Sequence, residues 1–242
     1  MNLMEDRRPM YRRLRDQIAA EIAQNVWKPG EAIATEAELA AKYQISVTTV
    51  RKAVDCLVLD GLIERVSGSG MFVRRPDFDH AFIRFTRVWG SAGDRRIPGS
   101  RIYKREMLPG PPEVTSALNL KDGAQVIRLL RLRLHEGAPI LREEIWLDGV
   151  RFAPVLTMEV KENQPRLLYP VYEDLCGAIV ARAEETITIE RANKADVELL
   201  GLRKGSSVVN VTRLSLGYDD NPIEWRYSRS STEDFHYKID IR

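Results

Sequence analysis

TEAELAAKYQISVTTVRKAVDCL, residues 35–57, decides the architecture of the first third of the chain. Thr35 and Glu38 stand at the T-x-x-E spacing in which each side chain satisfies the other residue's free backbone N–H, so a helix begins there. It runs through Leu39, Ala40 and Tyr43 until Gln44-Ile45 breaks the pattern. Ser46 is a good N-cap for the next helix, whose Val50, Ala53, Val54 and Leu57 fall at i, i+3, i+4, i+7 and form one apolar stripe. Gly61 is placed to close that helix just beyond its C-cap.

Upstream, Met10 to Asn25 carries Leu14, Ile18 and Ile22 at helical spacing, with Tyr11 one turn earlier. Trp27-Lys28-Pro29-Gly30 ends that helix, since Pro lacks the helical donor and Gly permits the turn. Downstream, Leu62-Ile63-Glu64-Arg65-Val66 and Met71-Phe72-Val73 flank Ser67-Gly68-Ser69-Gly70 and read as a β-hairpin. Helix, capped helix, tight turn, helix, hairpin is the order of a winged helix-turn-helix. Such a unit inserts the leading turns of its last helix into a DNA major groove. Ser46, Val47, Thr48, Thr49, Arg51 and Lys52 lie at that leading end, opposite the apolar stripe. Hydroxyls there can reach phosphates or base edges, and Arg51 is the strongest candidate for a bidentate contact. The Gly68-Ser69-Gly70 tip lets backbone approach a groove or a phosphate.

Composition bounds the rest. With 242 residues, 44% hydrophobic and 30% charged, the chain has the profile of a globular protein of one or two domains. No apolar run approaches the ~18 residues of a membrane span, so no membrane partner is expected. MNLMEDRRPMYRRL has charges without an apolar stretch behind them, unlike a secretory signal. Cys56 and Cys176 are far apart and without metal-ligand spacing, so free thiols in a reducing cytoplasm are expected. The net charge of +2 arises in the first part: residues 1–75 hold 12 Lys/Arg and 10 Asp/Glu, and the remainder 25 of each. An excess that small is weak support for a nucleic-acid partner.

Arg74 to His80, with Pro76, reads as a linker, giving a DNA-binding domain over 1–75, a linker at 76–80 and a second domain over 81–242. The second domain is strand-rich and contains a repeat. Leu118-x-Leu120-x-x-Gly123-x-x-Val126-Ile127-x-Leu129-x-Arg131-Leu132-x-Leu134 recurs as Leu200-x-Leu202-x-x-Gly205-x-x-Val208-Val209-x-Val211-x-Arg213-Leu214-x-Leu216. Pro139-Ile140 and Pro222-Ile223 follow at nearly matching distances. Each copy reads as short helix, Gly turn, strand, turn, strand, and two copies build one antiparallel sheet with pseudo-twofold layout. Arg166 to Gly177 reads as a helix between them, and Ala183 to Ala192 as a strand. Arg131 and Arg133 alternate onto one face of their strand, and two parallel guanidinium forks suit a carboxylate or phosphate. There is no nucleophile–base motif, metal cluster or cofactor fingerprint, and His135 sits in a His-Glu-Gly turn. No catalytic residue, metal or cofactor is therefore expected.

The stretch from Pro9 to Val73 resembles the GntR superfamily of bacterial regulators nearly end to end. Lys28-Pro29-Gly30, Glu36-Ala37-Glu38-Leu39-Ala40, Thr49-Val50-Arg51-Lys52-Ala53 and Gly68-x-Gly70-x-Phe72-Val73 all carry the likeness. Residues 80–242 resemble the effector domain of its HutC-like subfamily, the UTRA domain, similar in fold to chorismate lyase. The resemblance implies an α+β protein, a winged helix-turn-helix joined to an antiparallel-sheet domain. It implies a homodimer, a repressor or activator on a short palindrome of double-stranded operator DNA, retuned by a small effector of the sugar phosphate or carboxylate class. Thr35 and Glu36 join the DNA-contacting set by the same match. The R-x-R pair Arg131 and Arg133 would hold the anionic end of the effector, with Glu143 and Glu224 accepting from hydroxyls or amines. Tyr169 matches the family's S-L-Y, with Leu167 in place of Ser; Phe85-Thr86 matches a loop that closes over ligand, and Ser230 shares a strand face with Glu224. The family usually has Arg directly after the Ser of the third helix, where this chain has Val47, and often Arg near Ala37. The usual operator core therefore does not carry over, and Val47 can instead meet a thymine methyl. Two alternatives stay open: an enzyme using Glu143, Glu224 or His135 as acid–base groups, and a regulator without effector response.

Overall fold

A computed structural model describes residues 8–74, 98–159, 167–233 and 235. The chain divides into two compact units, one holding Met1–Pro76 with Gly217–Asp220, the other Asp77–Leu216 with Asn221–Arg242.

In the first unit, α1 (Met10–Ala23), α2 (Glu36–Tyr43) and α3 (Val47–Leu59) precede a hairpin of β1 (Ile63–Val66) and β2 (Gly70–Val73). Leu14, Ile18 and Ile22 of α1 close over Val50, Ala53, Val54 and Leu57 of α3, all essentially buried. The capping box at α2 is present: Thr35 Oγ1 accepts from the Glu38 N–H at 3.3 Å, and Glu38 accepts from the Thr35 N–H at 2.7 Å. Gln44 turns the chain at φ +54°, and Ser46 Oγ accepts from the Thr49 N–H at 3.2 Å to open α3. Glu21 ties α1 to α2, accepting from Trp27 at 2.8 Å, Lys42 at 2.9 Å and Tyr43 at 2.7 Å. The wing is fastened at its base, where the Ile33 N–H reaches Met71 O at 2.9 Å and Gly30 N–H reaches Val73 O at 2.8 Å. Because Thr35 Oγ1 accepts from the Glu38 N–H at the start of α2, Thr35→Ala is expected to cost about 1 kcal/mol, read as a lower urea midpoint with unchanged slope.

The second unit is a six-stranded antiparallel sheet in the order β3-β4-β5-β8-β7-β6. The strands are β3 (Gly99–Pro109), β4 (Gln125–His135), β5 (Ala138–Asp148), β6 (Arg182–Arg191), β7 (Ser207–Leu216) and β8 (Pro222–Ser231). Helices α4 (Pro112–Ala117), α5 (Leu168–Cys176) and α6 (Lys194–Leu200) complete it. The two sequence repeats are α4-β4-β5 and α6-β7-β8, and they meet at β5 and β8, where Glu144 stands opposite Tyr227. This is the pseudo-twofold layout expected from the repeat.

Register assigns the faces, since cross-strand partners share one side. Arg131 lies opposite Glu143, Glu143 opposite Ser228, Arg213 opposite Arg226, and Ser215 opposite Glu224. On this first face Ile127, Leu129, Ile145 and Leu147 pack beneath Phe152, Tyr172 and the rest of α5. On the second face Val114 of α4 and Leu118, its C-cap, cover Val126 and Trp146.

Candidate DNA interface and effector site

The leading end of α3 is exposed. Ser46, Thr48, Arg51 and Lys52 are solvent-facing, Thr49 is half-buried, and Val47 is 41% exposed although apolar. Ser46 Oγ and Thr49 Oγ1 share one proton across 2.8 Å, which leaves the other hydroxyl's proton for an outside acceptor. Thr35 differs, because its hydroxyl donates to Glu38 at 2.8 Å and its role in this arrangement is the helix cap. Glu36 reaches Arg51 Nε at 3.0 Å and Arg65 at 3.3 Å, while Asp55 holds Arg65 at 2.7 Å. Glu36 thus orients two exposed cations. Arg65, on the wing strand, was not singled out from the sequence, because its proximity to Glu36 and Asp55 depends on how the wing folds back. Gly68 at φ +74° and Gly70 at φ +112° give the wing tip the backbone that side chains disfavour, with open space around both.

In the second unit, Arg131, Arg133, Glu143, Glu224, Tyr169 and Ser230 are all buried. Arg131 Nε donates to Glu143 at 2.5 Å, and Arg226 bridges Glu143 at 3.0 Å and Glu224 at 2.6 Å. The Tyr172 hydroxyl donates to Glu224 at 2.6 Å. Tyr169 OH shares a proton with Ser215 across 2.8 Å and accepts from Arg213 at 3.2 Å. Phe85 and Thr86 lie outside the described residues. Arg226, Tyr172, Arg213 and Ser215 were missed from the sequence. The repeat held a signal for one of them, since Arg213 occupies the position of Arg131 in the second copy.

Electrostatics distinguish these groups. Burial would raise Glu143, but Arg131, Arg226 and Arg133 together carry it down to about 2. Burial, reinforced by Arg131 and Arg226, presses Arg133 down to about 9 against the opposing pull of Glu143, and the guanidinium stays charged at neutral pH. Burial and Glu224 hold the Tyr172 hydroxyl well above its ordinary value, so it remains a donor. Arg131 Nη1, Arg226 Nε and Glu224 Oε1 are buried without a hydrogen-bond partner among the described residues. Two unused donors and one unused acceptor therefore face the same buried cluster. Buried polar groups in native proteins ordinarily have a hydrogen-bond partner, which sets these three atoms apart.

The folded value of Glu143 lies below its ordinary 4.5, so its stabilising contribution is complete above that pH and lost as pH falls toward about 2. The loss is on the order of 3 kcal/mol. Chemical denaturation of the wild type is expected to show this decline, and Glu143→Gln to flatten it while lowering stability at neutral pH, where Arg131 and Arg226 lose their counter-charge.

Comparison with known proteins supplies what this geometry leaves open. Residues 10–73 match the family of bacterial regulatory proteins of the gntR type, and residues 94–236 match the UTRA domain. The HTH-type transcriptional regulator SmoD of Agrobacterium fabrum is 31% identical over 87% of this chain and 87% of its own length. The mannosyl-D-glycerate transport/metabolism system repressor MngR of Escherichia coli is 26% identical over 97% of this chain and 95% of its own. Among solved structures, the ligand-binding domain of a GntR-family regulator from Bordetella bronchiseptica superposes with a TM-score of 0.55 at 30% identity, covering 59% of this chain and 90% of that one. Among the described residues no helix is long and apolar enough to cross a membrane. An exposed reading helix with its wing, a sheet domain with a buried polar cluster, and these matches lead to one conclusion: the chain belongs to the GntR family of DNA-binding transcriptional regulators, with a UTRA domain as its effector-binding part.

Proposed function

We propose that this regulator acts as a homodimeric repressor released by a small anionic metabolite, a sugar phosphate or carboxylate, bound against Arg131 and Arg133. The observation that carries the effector class is a pair of open donors. Arg131 Nη1 and Arg226 Nε are buried without a hydrogen-bond partner among the described residues, where an unmet donor is costly. An anion accepts from both, and its hydroxyls supply the donor that Glu224 Oε1 lacks. The repressor names of relatives such as MngR support the sign of regulation.

No catalytic role is assigned to the two carboxylates. Glu143, held near 2, is a poor general base, and Glu224 is tied to Tyr172 and Arg226. His135 ends β4 opposite Ala138, at the Glu136-Gly137 turn to β5.

A ligand changes operator affinity only if it favours one arrangement of two DNA-reading units over another. Half-sites on one face of DNA lie roughly 34 Å apart, and effector binding is expected to favour a spacing that misses them. The test is operator affinity by fluorescence anisotropy, with glucose 6-phosphate, glucosamine 6-phosphate and small dicarboxylates added in turn. Release by one of them, lost in Arg131→Ala, supports the reading. Affinity indifferent to all of them refutes the anionic class.

A further inference from the structure

The two halves of the sheet domain are alike in fold but not in chemistry where their helices meet the second face. In the first half Val114 of α4 packs with Trp146 and Trp225. The repeat places Asp196 of α6 at the position of Val114, Arg229 at that of Trp146 and Arg142 at that of Trp225. Asp196 is fully buried and holds Arg142 at 2.9 Å and Arg229 at 3.0 Å. The first half shows that this corner is filled stably by apolar side chains. Three buried charges in the second half are not needed for the fold, because buried ion pairs add little stability over a hydrophobic packing of similar volume.

What the polar version creates is a cleft of about 220 Å³ beside Arg142, Glu144, Glu190, Asn210, Tyr227 and Arg229. That is room for roughly seven waters at about 30 Å³ each. Its charges are already matched. Arg142 and Arg229 face Asp196 and Glu190, and Glu144 pairs with Arg128 at 2.9 Å. Its hydrogen bonding is not matched. Asn210 is 5% exposed, and its Nδ2 donates to Glu190 at 3.0 Å and to Thr212 at 3.3 Å. A carboxylate only accepts, so the amide orientation is set and Oδ1 is left buried with no donor among the described residues. No described residue accepts from the Tyr227 hydroxyl, which burial, Glu113, Glu144 and Glu190 keep protonated by raising it to about 12.

We infer that this cleft is a second ligand site, on the sheet face opposite the arginine cluster, for an uncharged polyhydroxy compound such as a monosaccharide or polyol. Neutral charge balance excludes the need for an ionic ligand. A vacant buried acceptor beside a vacant donor calls for hydroxyl groups, which do both. The site is also wired to the first one. On β5, Arg142 and Glu144 flank Glu143; on β8, Tyr227 adjoins Arg226, so consecutive residues serve opposite faces.

Isothermal titration of the full chain with D-glucose, D-galactose and D-mannitol tests the site. At least one is expected to give saturable binding in the millimolar range, weakened about tenfold by Tyr227→Phe and by Asn210→Ala, the loss of one ordinary hydrogen bond. Circular dichroism and the thermal midpoint check that both variants stay folded; Tyr227→Phe removes only an unbonded hydroxyl. Arg133→Met is expected to leave the same titration unchanged, which separates this site from the anionic one. Absence of saturable binding by all three compounds overturns the inference. So does binding that ignores both cleft substitutions or disappears in Arg133→Met.

Discussion

Arg133→Met is expected to weaken an anionic effector by roughly ten- to a hundredfold. Arg133 is 1% exposed, and burial beside Arg131 and Arg226 presses it down to about 9. Methionine keeps much of the side-chain volume and removes the charge, so the bound state loses a charge-assisted contact. Calorimetry with the effector measures the loss, and denaturant unfolding without it checks that the variant stays folded. Arg131→Met is expected to lower stability as well, because Arg131 and Arg226 share Glu143 at 2.5 and 3.0 Å and removing Arg131 leaves the buried carboxylate with Arg226 alone of the two. Effector affinity unchanged in Arg133→Met would show that Arg133 is structural.

The second large effect is expected on the DNA side. Val47 is the first residue of α3, directly after the Ser46 cap, and is 41% exposed. An apolar side chain there offers a groove no donor. Val47→Arg is expected to tighten binding by about 1–3 kcal/mol at sites presenting guanine, five- to 150-fold, and to steepen the salt dependence by up to one unit if it contacts phosphate instead. Selection of bound sequences from a random pool, wild type against variant, distinguishes the two. An unchanged sequence preference would mean that Val47 does not face bases. The Glu36–Arg51 pair bears on the outcome, since Arg51 must leave Glu36 to reach DNA.

Much of the first unit was legible because its determinants are local. Thr35 with Glu38, and Ser46 with Thr49, are capping contacts within four residues, and the α3 stripe is a simple period. The sheet domain was legible in outline through the repeat, and Arg131 with Arg133 through alternation. Its chemistry was less so. That Glu143 meets Arg131 and Arg226 depends on which residues stand opposite across β4, β5 and β8, and register is set by turns and bulges far from the residues concerned. Asp196 illustrates the limit: from the sequence it is an ordinary helix-start acid, and only its burial against Arg142 and Arg229 gives it a second meaning. Leu167 is a smaller case. It stands as the N-cap of α5 without a side-chain bond, so the serine that relatives of this kind were expected to carry there would also have capped the helix.

The alternation along β5 and β8 has an evolutionary consequence. Neighbouring residues such as Arg142 and Glu143, or Arg226 and Tyr227, stand on different faces of the sheet although they are adjacent in the gene. Substitution rates among descendants of this chain should oscillate with a period of two along both strands, each phase following its own face of the sheet. A single-codon insertion in either strand would exchange the two phases at once. Such events should be nearly absent from surviving lineages, even where point changes are common.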